Sequence, residues 1–188
     1  MKKIFMMAVM AVAALSANAQ QEAGTFSIQP KAGLTVSSLS GEGTKAKAGF
    51  TAGVEGMYQV SEKFGVSAAV MYAMQGAKSK ANSDLKLNYG YINIPILANY
   101  YVVKGLAVKA GIQPGFMVSA KEKYGDTSVN VKDGCKTFDF TIPVGVSYEI
   151  ANVVFDARYN FGLTKTVKDG EKGKNGVFTF TVGYKFGL

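Results

Sequence analysis

The chain has no histidine and no tryptophan, and only one cysteine and four prolines in 188 residues. Without histidine, neither a Ser-His nor an Asp-His mechanism can operate. A single thiol allows no intramolecular disulfide, and with no histidine beside it no zinc site of His and Cys ligands can be assembled. Cys135 falls in a polar stretch and reads as an incidental loop thiol. Long apolar runs are equally scarce. Only Ile4 to Leu15 is uninterrupted, and about a dozen residues are too few to span a bilayer comfortably.

That run has a different reading. Lys2 and Lys3 precede it, and Ala17-Asn18-Ala19 follows it, with small residues flanking one position. This order predicts a signal peptide over 1–19, cleaved after Ala19, and a single exported domain over 20–188. No cysteine follows the apolar run, so a lipoprotein anchor is not expected.

What the chain does have is glycine (22 residues) and aromatics (12%), a mixture suited to many short strands joined by tight turns. Eight segments alternate apolar and polar residues with period two. The apolar faces include Phe26, Ile28, Ala32, Leu34 and Val36 in the first, and Phe50, Ala52, Val54 and Tyr58 in the second. They continue through Phe64 to Met74, Ile92 to Tyr100, Leu106 to Val118, Phe138 to Tyr148, Val153 to Leu163 and Phe178 to Leu188. None of these apolar-face positions is Asp, Glu, Lys or Arg.

The connections alternate in length. Long polar links fall near 38–46, 77–86, 120–136 and 164–175, and short ones near 59–63, 102–105 and 149–152. Long outer loops with short periplasmic turns are the pattern of outer-membrane barrels. The expected fold is therefore all-β, an eight-stranded antiparallel up-and-down transmembrane β-barrel in the outer membrane. An eight-stranded lumen is only wide enough to be filled by side chains, so the bulky apolar set should face lipid and the small polar set should face inward. Aromatics near both strand ends fit interfacial girdles. The last strand, ending Tyr184-Lys185-Phe186-Gly187-Leu188, is similar to the signal read by the barrel assembly machinery.

The chain resembles the PorT-like porin family, the outer-membrane β-barrel domain common in Bacteroidetes. The residues that carry the resemblance are Tyr91-Ile92-Asn93-Ile94-Pro95-Ile96, Lys31-Ala32-Gly33-Leu34 and the aromatic last strand. The resemblance covers the whole mature chain and implies an outer-membrane barrel, mostly of unassigned role. The namesake is associated with type IX protein secretion, and no residue here carries that role over.

Functional expectations follow from the charges. Glu55, Lys109, Asp139, Asp156, Arg158 and Lys185 should share one narrow lumen, where buried charges persist only when paired. They predict a salt-bridge network that plugs the barrel, with Arg158 as its most connected member. The net charge of +8 becomes +6 when Lys2 and Lys3 leave with the leader, and the surplus gathers in the long links. Lys45, Lys47, Lys78, Lys80, Lys121 and Lys123 are therefore expected to meet lipopolysaccharide phosphates. The aromatics sit on strand faces and not among these lysines, which argues against nucleic acid.

Gly41 to Lys45 lacks the spacing and following helix of a phosphate loop, and Asp169-Gly170-Glu171, ringed by lysines, reads as a solvated turn. The enzymes known among outer-membrane barrels need a histidine, so no catalysis, cofactor or metal is expected. The partners expected are outer-membrane lipid, lipopolysaccharide and, during biogenesis, the assembly machinery. The leading expectation is a non-catalytic barrel with a structural or surface-interaction role. The alternatives are a narrow porin-like or transport or secretion accessory barrel, and a soluble lipocalin-like ligand binder.

Overall fold

A computed structural model of the chain describes residues 22–39, 44–79, 85–124, 127–130, 136–165 and 174–188. Residues 1–19, expected to be a signal peptide, and Lys80, Cys135 and Asp169 to Glu171 lie outside the described residues. No helix occurs among those described. The strands are β1 (Phe26–Leu39), β2 (Thr44–Lys45), β3 (Lys47–Ser61), β4 (Phe64–Ser79), β5 (Leu85–Asn93) and β6 (Ile96–Val103). They continue with β7 (Leu106–Tyr124), β8 (Thr127–Asn130), β9 (Phe138–Ile150), β10 (Val153–Lys165), β11 (Lys174–Tyr184) and β12 (Phe186–Gly187).

These segments make eight staves. Each stave pairs antiparallel with the next in sequence, and β11 closes the ring on β1 from Lys31↔Gly183 to Leu39↔Asn175. β12 completes the seam at Ser27↔Gly187 and Ile28↔Phe186. Closure removes the free edges that would otherwise recruit another strand. The expected closed eight-stranded antiparallel barrel is the fold observed.

The alternation decides which side each residue takes. Phe180 and Val182 are half-exposed outside, whereas Asp156 and Arg158, on the adjoining stave, are 3% and 4% exposed inside. Apolar surface wraps the outer wall as a broad band, far beyond the patch a soluble monomer leaves to water. A lipocalin-like barrel would enclose this face, so the arrangement excludes that alternative.

Three local features depart from the sequence reading. The fourth stave is not continuous, because Pro95 has no N–H and interrupts it between β5 and β6. The ladder is carried across by Ala69 N donating to Pro95 O (3.0 Å) and Ile94 N donating to Pro114 O (2.9 Å). A register shift opposite Gly90 and Tyr91 changes the facing of β7, so Ala120, not Ser119, turns into the lumen. The lumen is also less polar than expected. Met57, Tyr101 and Ala107 pack together toward the short-turn end, and Tyr89, Tyr91, Met117 and Ala120 toward the loop end.

The short turns fall where expected. Ile150 and Val153 pair across Ala151-Asn152, and Ala151 sits at φ 51°, a left-handed conformation that costs an L-residue roughly 1–2 kcal/mol. Replacing Ala151 by glycine is expected to raise stability by about 1 kcal/mol, read from the midpoint of urea unfolding in vesicles. No gain would mean that the turn is held elsewhere.

Candidate functional site: an enclosed ion cluster and a lysine-bearing rim

Five charged side chains from four staves meet at the centre of the lumen. β1 supplies Lys31, β3 Glu55, β7 Lys109, and β10 both Asp156 and Arg158. Lys31 Nζ lies 2.7 Å from Glu55 Oε1 and 4.0 Å from Asp156 Oδ2. Lys109 Nζ lies 2.7 Å from Asp156 Oδ2 and 3.5 Å from Glu55 Oε1. Arg158 Nε lies 2.7 Å from Asp156 Oδ1. All five side chains are at most 3% exposed. Mutual attraction in a water-poor interior has to offset their desolvation, which holds only while each carboxylate keeps its cations.

The cluster differs from the expected one in membership and centre. Asp156 is the hub, within 4.0 Å of Lys31, Lys109 and Arg158, while among the described residues Arg158 pairs with Asp156 alone. Lys31, which is not among the six expected charges, belongs to the cluster. Its signal was present, since it lies on the inward face of the first strand. Asp139 does not join, because its carboxylate accepts from the Thr164 hydroxyl toward the loop end. Lys185 pairs instead with Glu149 at the short-turn end (3.0 Å), a residue read from sequence as part of a link.

Glycines make room for the long cationic stems. Cross-strand from Arg158 is Gly145, and cross-strand from Lys31 are Gly53 and Gly183. A Cβ built on Gly145 would stand 2.6 Å from Arg158 Cγ and 2.2 Å from Ala157 O. One built on Gly183 would stand 2.6 Å from Lys31 Cγ. Gly145→Val is therefore expected to displace Arg158 and destabilise the fold by roughly 1–3 kcal/mol, measured by urea titration in vesicles. Wild-type stability in that variant would show that the stem has room to move.

Beside Arg158 is a cavity of about 10 Å³, the space of one water, lined among others by Thr51, Gln75, Asn93, Gln113 and Asn160. It is far too small to be a path for solutes.

The lysines expected at the rim divide. Lys45 and Lys121 are exposed. Lys78 and Lys123 are placed by their backbones on β4 and β7. Lys47 is buried, with its ammonium donating to Asn88 Oδ1, which removes it from the rim set. It stands where β3 still pairs with Ser37 of β1, within the wall rather than above it. Among the described residues no cluster of three or more Cys, Asp or Glu is placed to hold a metal ion.

A closed eight-stranded barrel with an apolar outer wall and an ionic interior defines the class of small transmembrane β-barrels. The chain belongs to the outer membrane protein beta-barrel domain family, whose model matches residues 18–168, and it is an outer-membrane protein. Among solved structures it is similar to Neisserial surface protein A, with TM-score 0.58 and 20% identity over 86% of this chain and 97% of that one. It is similar also to Ail, the attachment invasion locus protein of Yersinia pestis, with TM-score 0.53 and 18% identity over 87% of this chain and 99% of that one. At these identities the likeness concerns the fold. No curated protein matches the chain.

Proposed function

We propose that the protein is a non-catalytic outer-membrane barrel with a structural or surface-interaction role, its lumen plugged by polar side chains and its loop-end lysines turned to lipopolysaccharide. The observation that carries this reading is the central cluster. Five charges at most 3% exposed support a closed lumen at that level. Met57 and Tyr101 on one side, and Tyr91 and Met117 on the other, thicken the plug. The absence of histidine removes the usual proton-transfer residue and supports a role without catalysis. Lys45, Lys78, Lys121, Lys123 and, from the sequence alone, Lys80 are the residues we assign to lipopolysaccharide contact.

The export signal over 1–19, the assembly machinery as a biogenesis partner and a PorT-like affiliation complete the reading. The affiliation rests on Tyr91 to Ile96 and Lys31 to Leu34. Recordings from the full mature chain in planar bilayers test the plug. No steady conductance is expected, and large stable openings would replace this reading with the narrow-porin alternative.

A further inference from the structure

We infer that Lys45, Lys78, Lys86 and Lys123 form one cross-strand row that binds the phosphate groups of lipopolysaccharide packed against the barrel. The inference rests on the reading above and narrows its loop-end lysines to one ordered site, adding Lys86. The register is direct: Lys45↔Lys78, Lys78↔Lys86 and Lys86↔Lys123 are successive cross-strand partners on β2, β4, β5 and β7. Residues opposed in this way share one face of the sheet, with neighbouring strands roughly 5 Å apart. Four cationic positions therefore stand in a line about 15 Å long.

Like charges placed directly opposite are destabilising in a sheet. Here three such pairs follow one another, and among the described residues beside them on that face none is acidic. Ser128 ends the row on β8, and the adjacent row, Gly76, Asn88, Lys121 and Asn130, contains no acid. A bound polyanion converts this self-repulsion into attraction.

The face and the height identify the anion. Ala120 lines the lumen, so Lys121 and Lys123, at alternating positions on β7, belong to the outer face, and Lys121 is exposed. On β4 the row lies beyond Tyr72, which stands on the apolar wall beside Phe50. The six residues from Tyr72 to Lys78 advance roughly 20 Å along the strand, or about 15 Å in height at the usual tilt. An outward face just above the apolar band looks sideways at neighbouring lipids and not up into the medium. The matching ligand is a phosphorylated glycan anchored in the same leaflet.

The test uses the full mature chain in phosphatidylcholine nanodiscs, in buffer with EDTA. Rough lipopolysaccharide, its chemically dephosphorylated form and heparin are titrated separately. Two variants of equal charge are compared with wild type. One carries Lys45→Gln, Lys78→Gln, Lys86→Gln and Lys123→Gln. The other carries Lys132→Gln, Lys136→Gln, Lys168→Gln and Lys172→Gln in the remaining links. Wild type is expected to bind the phosphorylated form at least tenfold more tightly than the dephosphorylated one. The row variant should lose roughly 10- to 100-fold, and the control variant less than threefold.

Equal losses in both variants would overturn the row while leaving a general attraction of rim lysines to lipopolysaccharide. No preference for the phosphorylated form would overturn both. Tight binding of heparin without preference for phosphorylated lipopolysaccharide would assign the row to a soluble polyanion and overturn the lipid source.

Discussion

Replacing Asp156 by alanine is expected to destabilise the barrel by about 3–5 kcal/mol, the usual cost of removing one partner from a buried ionic cluster. Asp156 is the carboxylate shared by Lys31, Lys109 and Arg158, so its loss leaves three enclosed cations facing Glu55 alone. Urea unfolding of the protein in phospholipid vesicles reads the effect. A companion variant separates charge from packing. Lys109→Met, Asp156→Leu and Arg158→Met together remove the carboxylate with the two cations that lean most closely on it, retain Lys31 with Glu55 at 2.7 Å, and should recover most of the loss. If Asp156→Ala unfolds at the wild-type urea concentration, the cluster is solvated and the plug has no basis.

A charge on the outer wall should cost nearly as much, for a different reason. Val70 is 57% exposed midway along β4, paired with Val54, and Val129 is 56% exposed on β8 at the loop end. To water the two sites would be equivalent. In a bilayer, Val70→Arg is expected to cost about 2–4 kcal/mol, whereas Val129→Arg should stay within roughly 0.5 kcal/mol of wild type. Equal effects at the two positions, measured in the same vesicles, would contradict a lipid-facing wall.

The architecture was legible because its signal is redundant. Alternation over eight segments fixes the facing of each strand, and the alternating link lengths fix the connectivity. Phe140, Ile94 and Phe180 face away from the centre, while Asp156 and Arg158 face it, as the pattern required. What the pattern could not carry is distance. It placed Asp139, Lys185 and Lys109 on inward faces without their heights, and height decides that only Lys109 reaches the cluster. Whether a strand slips by one residue is also silent in composition, so the alternation does not show the bulge opposite Gly90 that turns Ala120 rather than Ser119 into the lumen. The inward Met57, Tyr101 and Met117 are hidden for a related reason, since large apolar residues on a mostly polar face look like noise in a period-two reading. Lys86 belonged to a polar link in sequence, and only strand pairing shows that it lies in line with Lys78 and Lys123.

The staves are unequal: β4 and β7 run 16 and 19 residues, β10 and β11 only 13 and 11. Past Phe116↔Phe138, β7 continues without β9 and takes β8 as its partner instead. Among the described residues, one arc of the cylinder thus rises as a parapet above the opposite arc. Seen from outside the cell, the molecule has a front and a back, and whatever crowds against it in the plane of the membrane meets a different surface according to its direction of approach.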